Sequence, residues 1–204
     1  MAKRRARKQA KKAKRATKAT KATKARRAVT PRAKPRRRAQ ARPRAGAAGP
    51  RPVPAGYHTA TPYLTVRGAA EAIEFYKRAL GAAEMMRMPS ADGARVMHAE
   101  LRIGDSVIML SDELDGGSSR SPQALGATTG HVHLYVADVD SAFDRAVAAG
   151  ARVSMPLQDM FWGDRYGRVI DPFGQEWGLA THKEDLTPDE VGRRAAAAFA
   201  APSP

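Results

Sequence analysis

The chain has no cysteine among its 204 residues. Disulfides and thiolate metal sites are therefore excluded, and a reducing cytoplasm is compatible with the fold. Acidic residues are missing from one end. Residues 1–56 contain no Asp or Glu but hold 22 of the 36 Lys and Arg. The remaining 14 basic residues face all 20 acidic ones, so the rest of the chain carries −6. The net charge of +16 is thus the sum of a strongly basic tail and a mildly acidic body. No apolar run approaches the roughly 18 residues needed to span a membrane. The basic N-terminus is not followed by an apolar stretch, as a secretory signal would require. An Arg-rich, acid-poor start is also compatible with an organelle transit peptide.

Large apolar side chains are equally scarce in residues 1–56, where Val29 and Val53 are the largest apart from Met1. Such a segment cannot offset its ordering entropy and is expected to stay disordered. Its Ala, Lys and Arg are good helix formers up to residue 28, and prolines from Pro31 to Pro54 favour extended conformations after that. The composition resembles the basic tails of linker-histone-like proteins. It suits phosphate-backbone contact by counterion release without base stacking, since no aromatic interleaves the charges. The competing explanations are a solvated tail and a start codon assigned too far upstream. The expected location is the cytoplasm, with association to the nucleoid if the tail binds nucleic acid.

Composition becomes that of a globular protein at Tyr57. Residues 62–66 alternate as a strand. Ala69, Ala72, Ile73, Tyr76, Ala79 and Leu80 share one face of a helix over 69–80, which Gly81 closes. Strands follow at 85–88, 95–103 and 106–111, the last two joined by the Gly104-Asp105 turn. Residues 112–129 are rich in Gly, Ser and Pro and read as a loop. The same order then recurs: a strand at 131–136, a helix capped by Asp138 with Val139, Ala142, Phe143, Ala146 and Val147 as its stripe, closure at Gly150, and strands at 152–154, 165–170 and 175–181. Residues 155–163 read as a loop. Leu64 and Leu134 differ by 70 positions, as do Val66 and Val136. The predicted fold is α+β, two tandem β-α-β-β-β modules at about 58–115 and 128–183, within a domain at 57–186. Helices on the convex sheet faces leave concave faces for a ligand. Residues 187–204 form a short helix and tail. Thr187, Pro188 and Glu190 make a capping box, and Val191, Ala195, Ala198 and Phe199 form a docking face.

The stretches Thr61-Pro62-Tyr63-Leu64 and Ala72-Ile73-Glu74-Phe75-Tyr76 resemble the opening of the vicinal-oxygen-chelate superfamily. Gly130-His131-Val132-His133-Leu134, Trp162-Gly163-Asp164-Arg165 and Asp171-Pro172-Phe173-Gly174-Gln175-Glu176-Trp177 resemble its PhnB-like branch of glyoxalase/bleomycin-resistance proteins. The resemblance covers about residues 58–186. It implies a homodimer and either an enzyme (lyase, isomerase or dioxygenase) or a non-enzymatic binder of small organic molecules. It also implies a divalent metal held at positions that fall here at Thr61, Met109, His131 and Gly178. His131 is the one strong ligand among the four. Gln175 stands where the branch often has His.

Two pairs offer an alternative. His131 and His133 share one strand face, as do His98 and Glu100, and together they would make a facial triad if their strands met. His131, His133 and Glu100 are also the candidates for acid–base chemistry. Without such a meeting, neither metal nor other cofactor is expected. The cavity is expected to be lined by Thr61, Tyr63, Met109, Tyr135, Trp162, Arg165 and Gly178. Trp177 and Phe173 read as core.

Overall fold

The computed structural model describes residues 51–200. The expectations for residues 1–50 and 201–204 lie outside the described residues. The first module runs β1 (Tyr63–Val66), α1 (Ala69–Leu80), β2 (Ala83–Pro89), β3 (Val96–Ile103) and β4 (Ser106–Asp112). A short α2 (Pro122–Leu125) follows. The second module runs β5 (His131–Tyr135), α3 (Val139–Ala148), β6 (Arg152–Asp159), β7 (Asp164–Ile170) and β8 (Glu176–His182), and α4 (Pro188–Ala200) comes last. The strand orders are β1-β4-β3-β2 and β5-β8-β7-β6. In each sheet the first strand pairs parallel to the last, and the remaining pairs are antiparallel. The duplication is thus visible as one topology used twice, and the fold is α+β.

Helix α1 forms because its apolar residues recur at helical spacing. Ala69, Ala72, Ile73, Tyr76 and Ala79 are all buried. Gly81 ends it at φ 67°, a left-handed conformation that costs a side-chain-bearing residue more. Its N-terminus has no cap from its own side chains. Asp112 supplies one instead, accepting from the Gly68 and Ala69 amides at 2.9 and 2.8 Å and from the Val96 amide at 2.7 Å. Asp112, expected to open the loop, therefore ends β4 as a buried anchor, because its carboxylate satisfies three amide donors. Helix α3 starts as expected, with Asp138 accepting from the Ser141 amide at 3.2 Å. Its end differs from that of α1. Ala149 is the right-handed cap and Gly150 follows at φ 115°. Val147, placed in the apolar stripe, is exposed.

The two modules share one core. The Tyr76 ring of α1 meets the fully buried Trp177 ring of β8 with centroids 5.1 Å apart. Asp171 lies beneath both and is buried, accepting from Tyr76 Oη and Trp177 Nε1 at 2.9 Å each. It also takes the Phe173 and Gln175 amides at 2.9 Å. The Asp-Pro-Phe-Gly turn thus fixes itself and joins the modules through one carboxylate. Burial pushes the Asp171 carboxyl up, against the pull of these donors. Arg145 of α3 adds a bond from Nε to the Ala79 carbonyl at 3.1 Å.

Two further expectations change. β6 continues to Asp159, through the segment expected to be a loop. Pro156 is tolerated there because β6 is an edge strand and its pairing shifts register between Met155 and Gln158. Helix α4 has the expected Thr187 cap, 3.3 Å from the Glu190 amide, but buries no residue. Val191 and Ala195 are half-covered, while Phe199 is 78% exposed, with its ring 5.6 Å from that of Phe161. No helix among the described residues is long and apolar enough to cross a membrane.

Candidate functional site

Strand alternation gives each sheet a buried face and an open one. In the first sheet Leu64, Leu110 and Ala99 lie in register on the core side. The neighbouring row, Tyr63, Met109, Glu100 and Met86, lies on the open side. Tyr63, Met86 and Met88 are exposed there. His98 Nε2 lies 3.3 Å from Glu100 Oε1, and its Nδ1 lies 3.2 Å from the Tyr63 hydroxyl. The Tyr57 hydroxyl donates to Glu100 Oε2. That bond first, and His98 after it, hold the Glu100 carboxyl below the usual carboxylate range.

The open face of the second sheet is built from rings. β5 presents His131, His133 and Tyr135, and β8 presents Glu176, Gly178 and Ala180 beside them. β7 contributes Ile170, Arg168 and Tyr166 in the same rows. The His133 and Tyr166 rings stack with centroids 5.3 Å apart and planes 7° from parallel. Tyr135 lies 4.7 Å from His133, and Trp162 lies 5.8 Å from Tyr166. Tyr166 Oη and His131 Nε2 are 3.5 Å apart, at the limit of a hydrogen bond. Gly178 makes the packing possible. A Cβ there would lie 2.9 Å from Tyr166 Cε2 and Oη, and 3.2 Å from His131 Cδ2.

One carboxylate fixes the upper end of this ladder. Asp164, 4% exposed, accepts from Tyr135 Oη and Trp162 Nε1 at 3.0 Å each. His182 Nδ1 lies 2.7 Å from its other oxygen. Asp164, and then Asp185, raise the His182 imidazole above its ordinary value. His133 moves the other way, lowered by burial and by His131 beside it. At the lower end Glu176 accepts from Ser154 Oγ at 2.9 Å and Arg168 Nη1 at 3.3 Å. The Nε of Arg168 is buried without an acceptor.

The sequence-derived site residues divide between these faces. Tyr63, Met109, His98 and Glu100 lie on the first, and Tyr135, Gly178, His131 and His133 on the second. Trp162 stands at the rim of the second. Thr61 lies before β1, its hydroxyl bonded to the His58 carbonyl at 3.2 Å. The His98–Glu100 and His131–His133 pairs sit on separate sheets, and among the described residues no three His, Asp or Glu are grouped to hold a metal. Nor do the four positions implied by the family resemblance fit a hard divalent ion. Thr61, Met109 and Gly178 are poor or absent donors, and a larger residue at 178 would collide with Tyr166. Arg165 does not belong to the cavity. It projects to the helix side, where its guanidinium takes both oxygens of Asp140 at 2.6–3.0 Å.

Sequence reasoning missed Tyr57, Tyr166, Arg168, Glu176 and His182 as parts of these faces. Alternation along β7 could have found Tyr166 and Arg168, since they share a parity. Tyr57 gave no signal, because it precedes the first strand.

Comparison with known proteins agrees with this architecture. The model of the Glyoxalase/Bleomycin resistance protein/Dioxygenase superfamily matches residues 57–179. The uncharacterised protein Rv0887c of Mycobacterium tuberculosis is 46% identical over 134 residues, covering 64% of this chain and 78% of its own. Protein YjdN of Escherichia coli is 30% identical over 147 residues, covering 62% and 97%. The crystal structure of protein PA1353 from Pseudomonas aeruginosa is 25% identical, with a TM-score of 0.50 over 61% of this chain and 98% of that one. With more than half of its residues matched and the same module repeated twice, this chain belongs to the glyoxalase/bleomycin resistance protein/dioxygenase superfamily.

Proposed function

We propose that the domain is a binding module for a small organic molecule with a flat, unsaturated part. That part rests on the His133–Tyr166 ladder. The observation that carries this reading is the Tyr166 ring filling the space over Gly178. A position implied to hold a metal ligand is instead given to an aromatic wall. A homodimer, as the family resemblance implies, would cover the open faces and bury the ligand further. Amide NMR with quinoline, indole and naphthalene fragments tests the reading. Shifts concentrated on β5, β7 and β8 support it. Shifts confined to other elements, or none at millimolar fragment, refute it.

A second reading is a metal-dependent lyase, isomerase or dioxygenase. It is favoured by two pairs, His98–Glu100 and His131–His133, that lie on separate sheets of one chain. A dimer opposing unlike sheets would bring such pairs together. Metal analysis of untagged protein decides between the two readings. Stoichiometric Zn, Ni, Mn or Fe with a matching gain of activity favours the enzyme. The basic segment 1–56 adds a separate proposal, non-specific contact with nucleic acid, which is compatible with either.

A further inference from the structure

The segment 51–61 has no regular structure but is not idle. Gly56 turns it at φ 84°, and the Tyr57 amide bonds back to the Pro54 carbonyl at 3.2 Å. The turn aims the Tyr57 hydroxyl at Glu100. Pro52, Val53 and Pro54 arch beside it. With Thr61, Glu100 and Met109 they line an open, mostly apolar recess of about 350 Å³ beside the Tyr57 ring. The Glu100 side chain is only 15% exposed, whereas Tyr63, two strands away in the same row, is 51% exposed. Tyr57 thus occupies the open face from within the chain. Behind Glu100 the contacts continue through His98 to the Tyr63 hydroxyl, so this phenol caps a ready-made row of polar groups.

We propose that Tyr57 is a latch: with the Pro52–Pro54 arch it covers the Glu100–Met109 part of the first sheet, and a flat apolar ligand reaches that part only when the Tyr57–Glu100 bond opens. The inference concerns the first sheet and does not depend on the ladder of the second. Its energetics are those of a closed state that must open before binding. The apparent dissociation constant is the intrinsic one divided by the open fraction. A typical protein hydrogen bond is worth enough net to change that fraction up to roughly tenfold.

The test uses the full chain and the neutral dye Nile red, followed by fluorescence titration in a Tyr166→Ala background, which removes the ladder. Adding Tyr57→Phe, which keeps the ring and removes the hydroxyl, should tighten dye binding up to about tenfold. Adding Tyr57→Ala should tighten it further. Exchange of the residue 57 amide should quicken in the Tyr57→Phe protein. If both Tyr57 variants bind the dye as their parent does and the amide exchanges at the same rate, the latch is overturned. The two proposals fail separately. If Tyr166→Ala alone leaves dye binding unchanged, the ladder reading is lost while the latch test stands.

Discussion

Tyr166 and Gly178 lie diagonally on neighbouring strands, Tyr166 opposite Ala180 and Gly178 opposite Arg168, and the Tyr166 ring leans over to where a side chain at 178 would go. A Cβ on Gly178 would approach Tyr166 to 2.9 Å, a distance real Cβ atoms do not show. Overpacking of this kind costs about 1–3 kcal/mol. Gly178→Ala should therefore lower the thermal midpoint, and Gly178→Ala with Tyr166→Leu should recover part of the loss. Equal midpoints for wild type and Gly178→Ala would refute the close approach.

The Asp171 carboxylate holds Tyr76, Trp177 and its own turn together. Removing it leaves two buried donors and two amides without their acceptor. Asp171→Ala should destabilise the domain by about 3 kcal/mol or more in denaturant titration. A loss below about 1 kcal/mol would mean that the modules are joined by apolar packing alone.

Glu113 accepts from Ser121, Arg120 and Arg67, and these bonds, with Ser121 first, bring its carboxyl down from 4.5 to about 2. A folded value below the unfolded one stabilises above pH 4.5, and that contribution fades as pH falls toward 2. Glu113→Gln should flatten the stability curve over that window and leave its slope above pH 5 unchanged. An identical acid limb in the variant would contradict this.

His182 and His133 should titrate on opposite sides of 6.5, His182 above it and His133 below. For His182 the raised folded value means that its contribution is full below pH 6.5 and is lost as pH rises through the folded value. For His133 the sign reverses, with loss as pH falls through its lowered value. Imidazole NMR titration reads both. Asp164→Asn should bring His182 back toward 6.5 and lower His133 further, since the Asp164 charge raises both.

Much of the fold was legible because it follows from periodicity. The stripes of α1 and α3, the Gly81 cap, the Asp138 cap and the Gly104-Asp105 hairpin are local features that one stretch of sequence determines. What escaped is non-local. Asp112 reads as the start of a loop, since the amides it caps lie more than 40 residues earlier in α1. β6 passes through Pro156 because it is an edge strand, a property that only the sheet order reveals. The site followed the same division. The parity of His131, His133 and Tyr135 puts them on one strand face, in register with Glu176, Gly178 and Ala180 of β8. Arg165 has the opposite parity to Tyr166 on β7, and Asp140 on α3 takes its guanidinium to the helix side, a choice that only the strand's neighbours reveal. That Tyr166 fills the space over Gly178 depends on two strands in register, which no single segment encodes.

The basic segment makes its own prediction. Full-length protein should shift DNA of any sequence at low salt, with affinity falling steeply, on the order of 10³-fold or more, between about 50 and 200 mM salt. Removing residues 1–50, which spares the Tyr57 latch, should abolish the shift. No shift by the full chain at low salt would end the proposal.

The central claim is that the second sheet binds a flat organic molecule through rings rather than through a metal. Nile red titrated into full-length protein, with and without EDTA, tests it most directly. The account predicts saturable binding that EDTA leaves unchanged and that Tyr166→Ala weakens by about tenfold, the order expected for lost ring contacts. Binding that EDTA abolishes and added metal restores, or that Tyr166→Ala leaves intact, would contradict it.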